Sequence, residues 1–136
     1  MSLTEWHERL KKPAKRKSKY NAKRTLIDGK HFPSQLEAAV YLHLSNLVKI
    51  GAKSELRLQH TVRMESAGIS WKIDFSMLDE YGALEFVEAK GFECGEYVLK
   101  KKLYRAGFFG VAPLTIYKGT ALKLYVAEII TPKQLR

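Results

Sequence analysis

Trp71-Lys72-Ile73-Asp74-Phe75, followed by Leu84-Glu85-Phe86-Val87-Glu88-Ala89-Lys90, is the stretch on which the reading of this chain turns. Both runs alternate as strands do, and side chains on a strand point to opposite faces in turn, so Glu88 and Lys90 project to one side. Gly91 then breaks the second run, and Asp79-Glu80-Tyr81-Gly82 supplies a turn between the two. If they pair as a hairpin, Asp74, fourteen positions ahead of Glu88, puts two carboxylates and an ammonium at one point. Two acidic oxygen ligands suit a hard cation such as Mg²⁺. A lysine beside them can hold a phosphate or its attacking water, which completes a kit for metal-assisted phosphodiester hydrolysis.

Working outward, alternation places Trp71, Ile73, Phe75 and Met77 on one face and Lys72, Asp74 and Ser76 on the other, where Glu88 and Lys90 join them. A strand over 56–64 precedes this, with Leu56, Leu58, Val62 and Met64 on one side and Arg57, Gln59, Thr61 and Arg63 on the other. Upstream, Ser34 is a good N-cap for a helix over 34–50. Leu36, Ala39, Val40, Leu44, Leu47 and Val48 form its apolar stripe, and Gly51 is placed to stop it. Asp28-Gly29 marks a short hairpin. Downstream, 97–106 reads as a basic helix and 114–117 as a short apolar strand; residues 121–131 fit strand and helix equally. The expected order is α-β-β-β-α-β.

A chain of 136 residues fits one compact α/β domain. Its 46% apolar and 28% charged content is globular, and no apolar run reaches the ~20 residues of a membrane span. Cys94 is the only cysteine, which excludes an intrachain disulfide and a cysteine-cluster zinc site and fits a reducing cytoplasm. His7, His31, His43 and His60 lack zinc-site spacing. No secretory signal is expected from the N-terminal residues. The net charge of +10 is uneven: residues 9–24 carry nine Lys or Arg and no acid. Residues 1–24 therefore read as a basic arm and 25–136 as the domain. Such a run is either a solvated tail or a set of phosphate contacts. An anionic membrane suits it less, because it lacks an apolar helical face.

Asp-x(13)-Glu-x-Lys on two strands resembles the motif of the PD-(D/E)XK nuclease superfamily. Lys19-Tyr20-Asn21-Ala22-Lys23, Asp28-Gly29-Lys30-His31-Phe32 and Ser34-Gln35-Leu36-Glu37-Ala38 are similar to the entry segment of its small phage-type endonucleases, which include Holliday-junction resolvases. Lys90-Gly91 and Tyr97-Val98-Leu99-Lys100-Lys101-Lys102 resemble the stretch after the catalytic lysine. Ile73 stands where the motif often has proline. The resemblance implies a restriction-endonuclease-like core, a central mixed sheet flanked by helices. It also implies an Mg²⁺- or Mn²⁺-dependent endodeoxyribonuclease, in bacteria or phage-infected cells, acting in recombination on branched DNA as a homodimer. The alternatives are a restriction-type or nicking enzyme on duplex DNA, and a non-catalytic DNA-binding protein that keeps the fold.

On that resemblance Glu37, Asp74, Glu88 and Lys90 are catalytic; Asp74, Glu88, the Ala89 carbonyl and Glu37 hold metal. Glu37 has a rival role, since Ser34-Gln35-Leu36-Glu37 fits a capping box in which Glu37 reaches back to the Ser34 N–H. Gln59 either hydrogen-bonds the metal's water or the phosphate, or is a solvated strand residue. DNA contacts are expected from Lys15, Arg16, Lys17, Lys19, Tyr20, Lys23 and Arg24 in the arm, and from Lys100 and Lys101. Engagement of four arm charges gives a testable number: deleting residues 9–24 should flatten the log–log salt dependence of duplex binding by roughly 3–4 units. An unchanged slope in fluorescence anisotropy would make the arm a solvated tail.

Overall fold

Asp28 and Gly29, at φ 52° and 75°, fold the chain back between β1 (Thr25–Ile27) and β2 (Lys30–Phe32), the left-handed pair that a tight hairpin turn needs. The structure is a computed structural model and describes residues 25–134. Ser34 then caps α1 (Gln35–Lys49), its Oγ accepting from the Glu37 N–H at 3.1 Å. β3 (Ser54–Met64), β4 (Ile69–Leu78) and β5 (Leu84–Ala89) form an antiparallel meander. The β4–β5 turn is held by Asp79 Oδ1, which accepts from the N–H groups of Tyr81 and Ala83 at 2.8 and 2.9 Å. α2 (Gly95–Arg105) crosses over to β6 (Leu114–Gly119), which lies parallel to β5, and β7 (Leu124–Ile130) closes the sheet antiparallel to β6. The five-stranded mixed sheet thus runs in chain order, β3 to β7, beside the separate β1–β2 hairpin. Residues 121–131, undecided in sequence, hold edge strand β7.

The two helices cover opposite faces of this sheet. Phe86 packs among the α2 residues Tyr97 and Tyr104, whereas its neighbour Val87 packs among Ala38, Val40, Tyr41 and Leu44 of α1. Adjacent strand residues point to opposite faces, so one helix lies on each side. Burial on both faces explains why β5 and β6 are short and apolar, as central strands are.

The expected alternation fails at one level of the sheet, and the failure shapes everything near Asp74. Leu56 and Leu58 pack with α1, but Val62 and Met64, of the same parity, pack with α2. On β4, Trp71 and Ile73 pack with α2, whereas Phe75 and Met77 pack with α1. Both strands therefore change face between Leu58↔Phe75 and His60↔Ile73, the pairs that bracket Gln59 and Asp74. Gln59 carries the change in its backbone, with φ 60°, a left-handed conformation costing a non-glycine residue roughly 1 kcal/mol. Ser76, expected beside Asp74 on an outer face, is instead buried on the α2 side, its Oγ 3.1 Å from His60 Nδ1.

If Gln59 pivots both strands, its conformational preference should be legible in stability. Gln59→Gly should be neutral or stabilising by up to about 1 kcal/mol, and Gln59→Val should destabilise by more than that. Urea denaturation of both variants checks this, and equal destabilisation by both would refute the pivot.

Candidate active site

Because β4 changes face at Asp74, that residue can meet groups from both sides of the sheet. Glu88 follows Val87 and so points to the α2 side, where its Oε2 accepts from the Trp71 indole N–H at 2.9 Å. Its Oε1 accepts from the Asp74 backbone N–H at 3.1 Å, and Asp74 Oδ2 accepts from the Ala89 N–H at 3.0 Å. From the α1 side the Glu37 carboxyl hydrogen-bonds Asp74. Glu37 and Glu88 are 5% and 4% exposed, too buried to be solvated as free charges.

Lys90 continues β5 to the same cluster, close enough that its charge favours ionisation of both glutamates. Its Nζ lies 4.8 Å from the centroid of the Tyr97 ring, a cation–π contact that aims the ammonium. Tyr97 itself is buried edge-on to Trp71, and its hydroxyl has no hydrogen-bond partner among the described residues. Trp71 and Tyr97 thus make an aromatic floor, one fixing Glu88 and the other Lys90. Trp71 packs in the α2 core, and its N–H also orients Glu88.

Burial, reinforced by the hydrogen bond to Asp74 and its charge, pushes Glu37 up to about 9. Burial and then the Asp74 charge push Glu88 up to about 10. Burial and the neighbouring Asp74 carboxylate thus make both glutamates reluctant to ionise. Ser34 caps α1, the Glu37 carboxyl lies beside Asp74, and its Oε2 is buried with no hydrogen-bond partner among the described residues.

The expected ligand set is only partly laid out. Among the described residues no group of three or more His, Cys, Asp or Glu side chains stands ready to hold a metal. Both Glu88 oxygens and Asp74 Oδ2 already accept from N–H groups. The donors nonetheless fit a hard cation in kind, all being oxygens, with Glu37 Oε2 unsatisfied. Gln59 is exposed on β3 at the level of Asp74.

The expected DNA contacts fare unevenly. Lys15, Arg16, Lys17, Lys19, Tyr20, Lys23 and Arg24 lie outside the described residues, as does the rest of the arm. Lys100 pairs with Glu96 at 3.2 Å. Lys101 is held between Glu93 at 2.6 Å and Glu128 at 2.7 Å, so a phosphate would have to displace two carboxylates to reach it. Its position on a lysine-rich helix face did not reveal those partners, which come from a loop and from β7.

The fold and site define a mixed α/β domain with a buried carboxylate cluster and an adjoining lysine. The family profile described as "Protein of unknown function (DUF1064)" matches residues 17–124, and the chain belongs to that family. The match runs from within the arm to the first residue of β7 and includes all four cluster residues. No curated protein and no solved structure matches the chain.

The raised glutamates make a signed prediction. Folded protein keeps protons that unfolded chains release above the ordinary carboxylate value of 4.5. The stability this contributes is complete below that value and is lost as pH rises toward about 9 and 10. In EDTA, Glu37→Gln should therefore gain on wild type as pH rises from 5 to 9, by at least about 1 kcal/mol. Parallel urea midpoints across that range would contradict it.

Proposed function

We propose that this domain is a metal-dependent endodeoxyribonuclease of the PD-(D/E)XK type, acting on branched DNA. The observation that carries the reading is the meeting of Glu37, Asp74, Glu88 and Lys90 across the sheet, with one buried carboxylate oxygen lacking a hydrogen-bond partner among the described residues. The element order supports it: a helix bearing an acid, a three-stranded meander bearing two, a crossover helix, and a parallel strand. The basic arm supports a polyanionic substrate.

Asp74, Glu88 and Glu37, with the Ala89 carbonyl, would hold Mg²⁺ or Mn²⁺, which when bound supplies Lewis-acid polarisation of the phosphate and a water of lowered pKa. Every other part of the chemistry falls to the chain. Trp71 keeps Glu88 in one rotamer, so the site is organised before substrate arrives. Lys90, steadied by the Tyr97 ring, orients the attacking water and offsets charge growing on the scissile phosphate. Glu37 and Glu88 would have to be deprotonated to hold a cation, as carboxylate ligands must be. Gln59 can hydrogen-bond a phosphate oxygen or bound water from β3. Symmetrical cutting of a four-way junction needs two such sites, and a homodimer provides them.

Incubating the purified protein with Mg²⁺ and a panel of four-way, forked, single-stranded and linear DNAs tests the reading directly. Branched DNA should be cleaved, and Asp74→Ala or Glu88→Ala should remove cleavage while leaving DNA binding nearly intact. More than a few per cent of residual activity in either variant would defeat the assignment. Glu37→Gln should lower turnover steeply with only a small change in melting temperature. Preference for linear duplex would instead favour a restriction-type or nicking enzyme.

A further inference from the structure

The face change at Gln59 and Asp74 has a second product besides the carboxylate cluster. Beyond it, β3 and β4 continue as a two-stranded ribbon with one face packed on the α2 core through Val62, Met64, Trp71 and Ile73. The opposite face lies on the α1 side of the sheet. It carries Thr61 paired with Lys72 and Arg63 paired with Ser70, and directly opposed residues on paired strands share a face. All four are exposed, as is Gln59 where the ribbon meets the site. α1 covers Leu56 and Leu58 on the other side of the switch and leaves this stretch open.

We propose that this open ribbon face is a docking surface for the backbone of duplex DNA leading into the Glu37–Asp74–Glu88–Lys90 site; the inference rests on the nuclease reading for its occupant. Three observations select that partner. The face is hydroxyl- and cation-bearing with no large apolar side chain, so it offers little to a protein that docks by apolar burial. It is complementary in charge to phosphate: Lys72 has no carboxylate partner among the described residues, and Arg63 has only Glu65, at 3.4 Å in a pair exposed on both sides. Such a pair contributes under about 1 kcal/mol and yields readily to a phosphate. The face is also continuous with the site. Lys72 lies two strand residues from Asp74, roughly 7 Å along the chain. That is about two nucleotides of rise along one DNA strand, so the ribbon contacts phosphates beside the one being cut. A two-stranded ribbon is also narrow enough to lie against a DNA groove.

Lys100 and Lys101 were the contacts that sequence alone favoured on the folded domain. The ribbon cations replace them because they are less encumbered and nearer the cluster. Glu65 adds a prediction of opposite sign, since its removal frees Arg63.

The test uses the full chain in EDTA, which separates binding from cleavage, with a fluorescein-labelled linear duplex followed by anisotropy over a salt titration. The double substitution Arg63→Ala with Lys72→Ala should reduce the magnitude of the salt slope by close to 2 units and weaken binding at 0.1 M salt on the order of 50-fold. Glu65→Gln should tighten binding. Lys49→Ala removes one exposed charge at the far end of α1, about 18 Å from Glu37 along the helix, and should leave the slope within half a unit. Circular dichroism and melting temperature should be unchanged in all variants, because every substituted side chain is exposed. An unaltered slope in the double variant overturns the proposal, as does wild-type protein that binds no duplex. Cleavage by wild type in Mg²⁺ is scored separately. Cleavage with an unaltered slope sinks the ribbon and spares the nuclease; a reduced slope without cleavage does the reverse.

Discussion

Asp74 and Glu88 exchange side chain for backbone: the Asp74 N–H reaches a Glu88 oxygen, and an Asp74 oxygen receives the Ala89 N–H. The exchange sits where the β4–β5 ladder ends. Regular pairing runs from Leu78↔Leu84 to Phe75↔Val87 and stops, while β5 continues against β6 through Glu88 and Ala89. A splayed pair of buried strands would leave N–H groups without partners, each costing about 1–3 kcal/mol. The two carboxylates take those N–H groups instead. What reads in sequence as a polar strand end is thus part of the hydrogen-bonding of the sheet, and the acids are held in place by the backbone they satisfy.

That constraint explains why three acids can gather in a small domain. α1 and α2 lie on opposite faces, and residues bound to one face are normally screened from the other by the sheet itself. The turn of β3 and β4 at Gln59 and Asp74 opens the sheet at one level, so Glu37 from the α1 side and Glu88 from the α2 side address the same residue. The cost is repulsion and desolvation, visible in the raised affinity of both glutamates for protons. Trp71 and Tyr97 bear part of it, as they fix a carboxylate and a lysine from below without adding charge.

Periodicity made α1, the meander and the crossover helix readable, because each buries one stripe against a single neighbour. Gly51, Gly68 and Gly82 also fell at turns, and each has positive φ. What could not be read were the places where one residue serves two surroundings. Leu56, Leu58, Val62 and Met64 share a parity and nothing in their types announces that the strand changes face among them. Gln59 gives no warning either, since glutamine is not a residue that favours a left-handed backbone. β7 was ambiguous for a different reason. It is an edge strand with Tyr125, Val126 and Ile129 exposed, so neither helical nor strand alternation marks a buried face. The four cluster residues were legible through motif spacing, whereas their partners Trp71 and Tyr97 were not, because an aromatic in a core pattern looks the same with or without a polar contact.

The distribution of charge follows the same division. On the α2 flank, Glu93 receives Lys101 and Lys118 at 2.6 Å each, and Glu128 receives Lys101 and Arg105. These pairs lash the loop after Lys90 and the edge strand to α2, and their two acids offset most of the positive charge there. Lys53 is likewise held by Glu85 at 2.8 Å, and Lys100 by Glu96. Half of the fourteen Lys and Arg among the described residues are paired with carboxylates, so the positive charge on the domain is uneven. Of the cations without a carboxylate partner among the described residues, Lys72 stands nearest to Asp74 along the chain. Pairing the others with carboxylates therefore leaves an unpaired positive charge beside the carboxylate cluster, where the proposed phosphate backbone would settle.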